Sequence, residues 1–226
     1  MAFRKKLQYI LPYNPDILIV PECEHPSKFI FSPGILPTCF EWFGTNHNKG
    51  LGVFSFGDIR LKVLDIHNPV FKMIVPIEVT GGVYDFTLFA IWANNPGDPD
   101  GTYVEQVWKA INYYENLLSG PLTMLAGDFN SNTIWDRKHR LSNHSTVVKK
   151  LEGLGIVSSY HFHNKQLQGQ EEHPTLYMYR KNDKGYHIDY CFTSAALTQK
   201  ILSVEIGEFK YWTQFSDHSP LIVTLS

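Results

Sequence analysis

The chain contains little cysteine and no long apolar run, and both absences limit where it works. Its 226 residues include three cysteines, Cys23, Cys39 and Cys191, which lack the paired spacing of a zinc ribbon or a redox motif. Such sparse use of cysteine favours a reducing compartment, so we expect a cytoplasmic protein. No apolar stretch approaches the roughly 20 residues of a membrane span, so we expect no membrane segment.

The chain also lacks an excess of positive charge. Its formal net charge is −2, and 19% of its residues are charged, so no global positive field favours a long nucleic-acid footprint. A bound metal ion supplies positive charge locally, which keeps a nucleic-acid substrate open. The short basic cluster of Arg4, Lys5 and Lys6 is expected on the solvated face of a first helix.

Apolar and aromatic residues are plentiful. Hydrophobic residues make up 43% of the chain and aromatic residues 14%, which is enough for a sizeable core. The aromatic rings suit either a core or a surface that stacks on bases. Because no linker or repeat interrupts the sequence, we expect a single domain over 1–226 that is a monomer.

Apolar runs and turn residues predict the order of secondary structure. Strands are predicted at 17–20, 51–56, 60–66, 72–79, 84–92, 122–126, 175–179, 187–193, 201–208 and 221–225. Helical spacing predicts helices at 3–11, 103–118 and 145–154. The segments 94–101 and 161–174 have neither pattern and are predicted to be loops. Many strands with a few interspersed helices predict an α+β sandwich.

Polar side chains follow or interrupt several of these strands. They are Glu22, Asp128, Asn130, Asp189, Asp217 and His218. If strand ends bring them together, they suit a hard metal ion and a phosphate. Ordinary turns and solvated strand ends also use such residues, so both interpretations are open for most of them. Asp189 fits the second interpretation poorly, because a carboxylate within an apolar strand is costly to bury without a partner.

Four segments then resemble, in the same order, motifs of the endonuclease/exonuclease/phosphatase superfamily. They are PDILIVPE at 15–22, GDFN at 127–130, HIDY at 187–190 and SDHSP at 216–220. The similarity is to the exonuclease III and apurinic/apyrimidinic endonuclease group, and it spans about residues 12–226. It implies a deoxyribonuclease I-like fold, a four-layer α/β/β/α sandwich of two packed mixed β-sheets with helices outside.

The resemblance implies a catalytic role for four residues. Asp128 would orient or deprotonate the attacking water, and Asn130 would hold that water or the phosphate. Asp189 would pair with His218, and His218 would contact the scissile phosphate. The implied reaction is hydrolysis of a phosphodiester bond.

The resemblance also implies a metal site. Glu22 would be the main ligand and Asp217 a further one, with Mg²⁺ as the ion and Mn²⁺ as a possible substitute. Family members usually begin with a strand that carries a metal-side Asn, and this chain lacks that strand before its first helix. Glu24 points to the same face as Glu22 in an extended chain and is one substitute, although a surface role is the expectation.

A second departure concerns the substrate side. The family often places a Tyr or His at the end of the strand before GDFN, where this chain offers Trp92 or Asn94. Lys49 lies in a segment that approaches the substrate in the family, and we expect it to contact a phosphate. Trp92 also suits a place in the core.

The sequence thus predicts a magnesium-dependent phosphodiesterase, in the first place a nuclease acting on DNA or RNA. One alternative is a phosphatase or phosphodiesterase of a small phosphorylated molecule. Another is a catalytically weakened binding protein on the same fold, which the absent first strand would favour.

Overall fold

The computed structural model describes residues 2–31, 35–94, 97 and 101–226. The strands are β1 Ile17–Cys23, β2 Cys39–Asn46, β3 Lys49–Ser55, β4 Arg60–Val63, β5 Ile74–Thr80, β6 Phe86–Trp92, β7 Thr123–Asp128, β8 Ile156–Ser158, β9 Leu176–Tyr177, β10 Gly185–Tyr186, β11 Asp189–Ser194, β12 Ile201–Ile206 and β13 Leu221–Leu225. The helices are α1 Leu7–Ile10, α2 Val104–Tyr113, α3 Glu115–Leu118, α4 His144–Gly153, α5 Ser159–Asn164, α6 Ala195–Thr198 and α7 Phe209–Trp212. Short 3-10 turns lie at Phe3–Lys5, Leu11–Tyr13, Pro26–Lys28, Pro69–Phe71, Thr133–Trp135, Met178–Arg180 and Asn182–Lys184.

A six-stranded mixed sheet forms one inner layer, in the order β4-β5-β6-β7-β11-β8. The β6–β7 pair is parallel and the other pairs are antiparallel. Helices α2 and α4 cover its outer face, where Val107, Ile111, Val147 and Leu151 are buried against the sheet. The parallel pair needs a crossover, which α2 and α3 provide between β6 and β7.

The second inner layer contains the antiparallel groups β1-β3-β2 and β12-β13. Apolar side chains of both layers meet between the sheets, among them Val53, Ile77 and Leu88. Among the described residues, no strand pairs with the second edge of β1 or of β13. Ile17 and Ile19 are consequently only partly buried, whereas the sequence predicted a strand buried on both faces.

The N-terminal segment covers the outer face of β1 and β3. Phe3, Leu7 and Leu11 are buried there against Val20 and Phe54. Helix, sheet, sheet and helix therefore follow one another, and the predicted four-layer sandwich is confirmed. No helix in the described part of the chain is long and apolar enough to cross a membrane. The single-domain organisation stays a prediction.

Some local predictions are wrong. Residues 161–164 lie in α5 and not in a loop, and Ser158 Oγ contacts His161 Nδ1 at 2.7 Å within its first turn. The helix predicted over 103–118 breaks at Tyr114, whose buried hydroxyl accepts a hydrogen bond from Asn68 N at 2.8 Å. The sequence patterns missed β2 and β8. Most of the loop predicted over 94–101 lies outside the described residues.

Candidate active site

A glycine at the end of β7 brings the first catalytic candidate next to β6. Gly127 has φ 136°, and a Cβ added to it would lie 1.9 Å from the carbonyl oxygen of Ile91. Only glycine fits such a close approach of two backbones. The strand therefore reaches Asp128 while still paired with β6, where Trp92 is the register partner of Asp128.

Asp128 and Asp189 lie opposite each other on β7 and β11. Phe129 N donates to Ile188 O at 3.0 Å in the adjacent pair, so the aspartates form a non-hydrogen-bonded pair, whose side chains approach most closely. Asp128 is 3% exposed. Burial, and then the charge of Asp189, raises the pKa of Asp128 well above its usual value.

Asn130 holds both oxygens of the Asp128 carboxylate. Its backbone N donates to Asp128 Oδ1 and its side-chain Nδ2 to Asp128 Oδ2, each at 2.8 Å. Nδ2 also donates to Ala93 O at 2.8 Å, which ties it to the end of β6. Asn130 has φ 46°, a left-handed conformation that asparagine tolerates better than most residues. The GDFN segment thus fixes the orientation of Asp128.

His218 forms an ion pair with Asp189. The Nδ1 to Oδ2 distance is 2.9 Å. Burial alone would lower the pKa of His218, but Asp189, followed by Asp128 and Asp217, raises it to about 9. His218 N donates to Ser216 Oγ at 3.1 Å, which orders the turn that carries the imidazole. The imidazole is therefore a cation at neutral pH.

Thr175 supports this pair, and the sequence patterns gave it no role. Its Oγ1 accepts hydrogen bonds from Ile188 N and Asp189 N, both at 3.0 Å. Its carbonyl oxygen accepts from Ser219 N at 2.8 Å. One buried threonine therefore holds the segments that carry Asp189 and His218. Residues 174–177, PTLY, resemble a stretch of the superfamily just upstream of the HIDY motif, which is the available signal, but this resemblance indicates no partner for Thr175.

Glu22, Lys49 and Trp92 form a second group beside the first. Lys49 Nζ lies 2.7 Å from Glu22 Oε1, with both side chains about half exposed, and 5.2 Å from the centre of the Trp92 ring. Glu22 has φ 59° and lies at a register irregularity between β1 and β3, which turns its side chain away from the regular pleat. Its charge contributes to the raised pKa of Asp128.

The remaining predicted residues lie around these groups. Asp217 is exposed, and its charge helps to raise the pKa of His218. Trp92 is buried in the core between the sheets. Asn94 is partly buried, and its carbonyl oxygen accepts from Tyr103 N at 3.4 Å. Glu24 is buried and paired with Arg4, contrary to the expected surface role.

Two carboxylates and the imidazole of His218 converge at one point of the site. Asp128, Asp189 and His218 each offer one ligand atom, and these atoms lie within 4.8 Å of one another. Glu22 and Asp217 lie outside this group of three, although the charge of each acts on one of its members.

Lys6 is a site residue that the sequence analysis placed elsewhere. Its Nζ lies 3.5 Å from Ser216 Oγ, not on the solvated face of the first helix. Burial lowers the pKa of Lys6, and Asp217, Glu22 and Asp189 act in the opposite direction. Residues 6 and 216 lie 210 positions apart, so no local pattern indicated this contact.

Comparison with known proteins identifies the fold. No protein family model and no curated protein matches the sequence. An AP endonuclease from Archaeoglobus fulgidus is 18% identical, with a TM-score of 0.68 over 100% of this chain and 96% of its own. The 3'-5' exonuclease NExo from Neisseria meningitidis is 19% identical, with a TM-score of 0.70 over 98% of this chain and 94% of its own.

A third solved structure extends the comparison to a mobile genetic element. The endonuclease domain of TRAS1, a telomere-specific non-LTR retrotransposon, is 16% identical, with a TM-score of 0.63 over 98% of this chain and 91% of its own. Agreement over nearly the full length of these structures confirms the predicted resemblance at the level of the fold. The chain has the deoxyribonuclease I-like fold of these endonuclease and exonuclease structures.

Proposed function

We propose that this protein is a metal-assisted hydrolase of phosphodiester bonds that acts as a nuclease on DNA or RNA. The carrying observation is the cluster of Asp128, Asp189 and His218, with Asn130 bound to both oxygens of Asp128. The cluster combines a carboxylate that can act as a general base with a cation. Hydrolysis of a phosphate ester by an attacking water uses both groups.

His218 supplies the cation. With a pKa of about 9, the imidazolium persists at neutral pH and stabilises the negative charge that grows on the phosphate oxygens. Its Nδ1 is engaged by Asp189, so the phosphate is contacted through Nε2. Asp189 thus orients the ring and keeps it protonated.

Asp128 is the base. Its raised pKa gives the carboxylate a higher affinity for the proton of an attacking water. The two hydrogen bonds from Asn130 fix the plane of the carboxylate. Both hydrogens of Asn130 Nδ2 are engaged by Asp128 and Ala93, so its Oδ1, an acceptor, is the atom that would hold the attacking water.

The charges suit a divalent cation. Repulsion from Asp189 and Glu22 contributes to the raised pKa of Asp128, and a bound cation offsets such repulsion. Glu22 and Asp217, exposed and bearing the hard oxygen donors that Mg²⁺ and Mn²⁺ prefer, would hold the ion. When bound, it would polarise the phosphate and lower the pKa of a water ligand.

Nucleic acid is the proposed substrate. One solved structure with this fold is a 3' phosphatase NExo from Neisseria bound to a product DNA hairpin, with a TM-score of 0.67. In this chain, the half-exposed Lys49 beside Glu22 would contact a phosphate. Asn94, partly buried after the end of β6, is proposed as a second contact, whereas Trp92 is buried and its ring lies next to Lys49. The cytoplasmic location and the monomeric state stay predictions.

A substrate panel tests the proposal. Labelled single-stranded, duplex and abasic DNA, RNA, and bis-p-nitrophenyl phosphate are incubated with Mg²⁺, with Mn²⁺ or with EDTA. We expect oligonucleotide cleavage that EDTA abolishes and that Asp128→Asn lacks. The exposed Asp65→Asn makes the same charge change and should cleave normally.

Two other results would replace the proposal. Hydrolysis of the small phosphodiester with every oligonucleotide intact would favour a small phosphorylated substrate. Binding of oligonucleotides without cleavage of any substrate would favour a non-catalytic binding protein.

A further inference from the structure

We propose that the Lys6 ammonium is a built-in cation of the metal side of the site, where it competes with a divalent ion for Glu22 and Asp217. This inference rests on the metal site of the proposed function. It assigns Lys6 the role of setting how tightly that site binds an ion.

The backbone around Lys6 is fixed at two points on opposite sides of the site. On one side, Arg4 pairs with the buried carboxylate of Glu24 and donates its backbone N to Glu24 Oε2 at 3.3 Å. On the other side, the ring of Tyr9 stacks on Phe215 at 3.8 Å between centroids. Glu24 lies two residues after Glu22, and Phe215 lies two residues before Asp217. Lys6 is therefore held between the segments that carry the two predicted ligands.

Apolar neighbours prevent the segment from rotating. Phe3 and Leu7 are 2% and 4% exposed, and both pack in the core that includes Cys23. Turning Lys6 outward would pull these side chains from the core, at a cost of about 1.5–3 kcal/mol for each. Lys5 is exposed, whereas Lys6 is partly buried.

The Lys6 side chain reaches the turn that carries Asp217 and His218. Its Nζ lies 3.5 Å from Ser216 Oγ, the hydroxyl that also accepts from His218 N. The charges of Asp217, Glu22 and Asp189 act on the ammonium against the effect of burial. The Lys6 ammonium thus ends beside Ser216, the residue before Asp217, where the charges of the site carboxylates act on it.

A cation in this position has one main consequence. A divalent ion bound by Glu22 and Asp217 would be repelled by the ammonium, and the same carboxylates would be partly neutralised before the ion arrives. Replacing Lys6 by an uncharged side chain of similar length should therefore strengthen ion binding. Lys6→Met retains most of the apolar stem and removes the charge.

Mn²⁺ alone is the probe, measured by calorimetry and electron paramagnetic resonance without substrate. We expect Lys6→Met to bind Mn²⁺ at least about tenfold more tightly than the parent chain, whereas Lys6→Arg should stay near the parent. Lys5→Met removes the same formal charge at an exposed position and should change the affinity by less than about twofold, because exposed charges are screened. Equal affinities for Lys6→Met and Lys5→Met would overturn the proposal.

Circular dichroism and thermal unfolding check that each variant folds, and Lys6→Gln replaces Lys6→Met if the latter does not. The readout also separates the two proposals. Tighter Mn²⁺ binding by the Lys6 variant without cleavage of any substrate would support the role of Lys6 and reject the nuclease proposal. If the parent chain and the Lys6 variant bind Mn²⁺ equally tightly and both cleave a substrate, the nuclease proposal is supported and the role of Lys6 is rejected. Absence of Mn²⁺ binding in all variants would reject the role of Lys6.

Discussion

Asp128 and Asp189 face each other across the β7–β11 pair, at the position where antiparallel side chains come closest. Like charges in directly opposite positions destabilise a sheet. Here the third member, His218, lies 2.9 Å from Asp189 and carries a positive charge at neutral pH. The positive charge of His218 offsets the repulsion between the two carboxylates.

The first prediction is that Asp128→Asn removes most of the activity and changes how the free energy of unfolding depends on pH. Because the pKa of Asp128 is raised on folding, ionisation of this carboxylate opposes folding, and stability is lost as pH rises above its ordinary pKa of 3.8. Asparagine offers one acceptor oxygen to the two donors of Asn130, so the variant loses one hydrogen bond, but its stability relative to the parent should rise as pH increases above 3.8. Its hydrolysis should fall by at least about 100-fold.

Urea unfolding between pH 4 and pH 8 provides the stability measurement, with activity assayed on the same samples. Asp65→Asn is the control, since Asp65 is exposed. A variant that remains active, and whose stability relative to the parent does not rise with pH, would contradict both halves of the prediction.

The second prediction concerns the pKa of His218. Asp189→Asn removes the main partner that raises this pKa, so it should fall from about 9 towards or below the ordinary 6.5. In the parent, protonation of His218 stabilises the fold fully below pH 6.5, and this contribution is lost as pH rises through about 9. The unfolding free energy of the variant should be flatter across that window.

Proton NMR of the imidazole resonances measures the pKa, with His218→Gln to assign the signal. A His218 pKa near 9 in the Asp189 variant would show that Asp189 is not the cause.

The sequence places the catalytic candidates beside strands, and the structure brings Asp128, Asp189 and His218 together. An apolar run that ends in GDFN at 127–130 marks the end of β7, and a carboxylate inside an apolar strand marks Asp189. Both signals are local, and strand pairing then brings the side chains together. The order of strands and helices predicts an α+β sandwich, and its four layers are implied by the resemblance to the superfamily.

The contacts that the sequence does not predict are those between distant segments. Lys6 and Ser216 lie 210 positions apart, and the basic cluster at 4–6 has the composition of a solvated surface. Glu24 is buried and forms an ion pair with Arg4. This contact depends on how the N-terminal segment packs, which no local pattern predicts. Thr175 belongs to none of the four motifs, although its hydroxyl accepts hydrogen bonds that order the segment of Asp189.

The third prediction is that Lys49 affects substrate binding more than stability. Its ion pair with Glu22 is half exposed, and such pairs contribute less than about 1 kcal/mol. Lys49→Ala should therefore unfold within that range of the parent. If Lys49 contacts a phosphate, KM for an oligonucleotide should rise, and the salt dependence of binding should weaken by about one unit of slope.

Lys62→Ala is the matched control for this experiment. Lys62 is exposed on β4, at the far edge of the six-stranded sheet. KM values at several salt concentrations should separate the two lysines, and an identical salt slope for both variants would remove Lys49 from the substrate-binding surface.

The last prediction tests the close approach of β6 and β7. In Gly127→Ala, the new methyl group would lie 1.9 Å from Ile91 O in a backbone conformation of φ 136°, so the strands must separate or the chain must change conformation. We expect a loss of about 3 kcal/mol or more in the free energy of unfolding, together with loss of activity, because Asp128 follows directly. Gly153→Ala makes the same chemical change in α4, where a Cβ meets no atom within 4 Å, and should be neutral or stabilise the chain by up to about 1 kcal/mol. Urea unfolding of the two variants beside the parent measures the difference, and equal stability of both would mean that β6 and β7 do not require glycine at their contact.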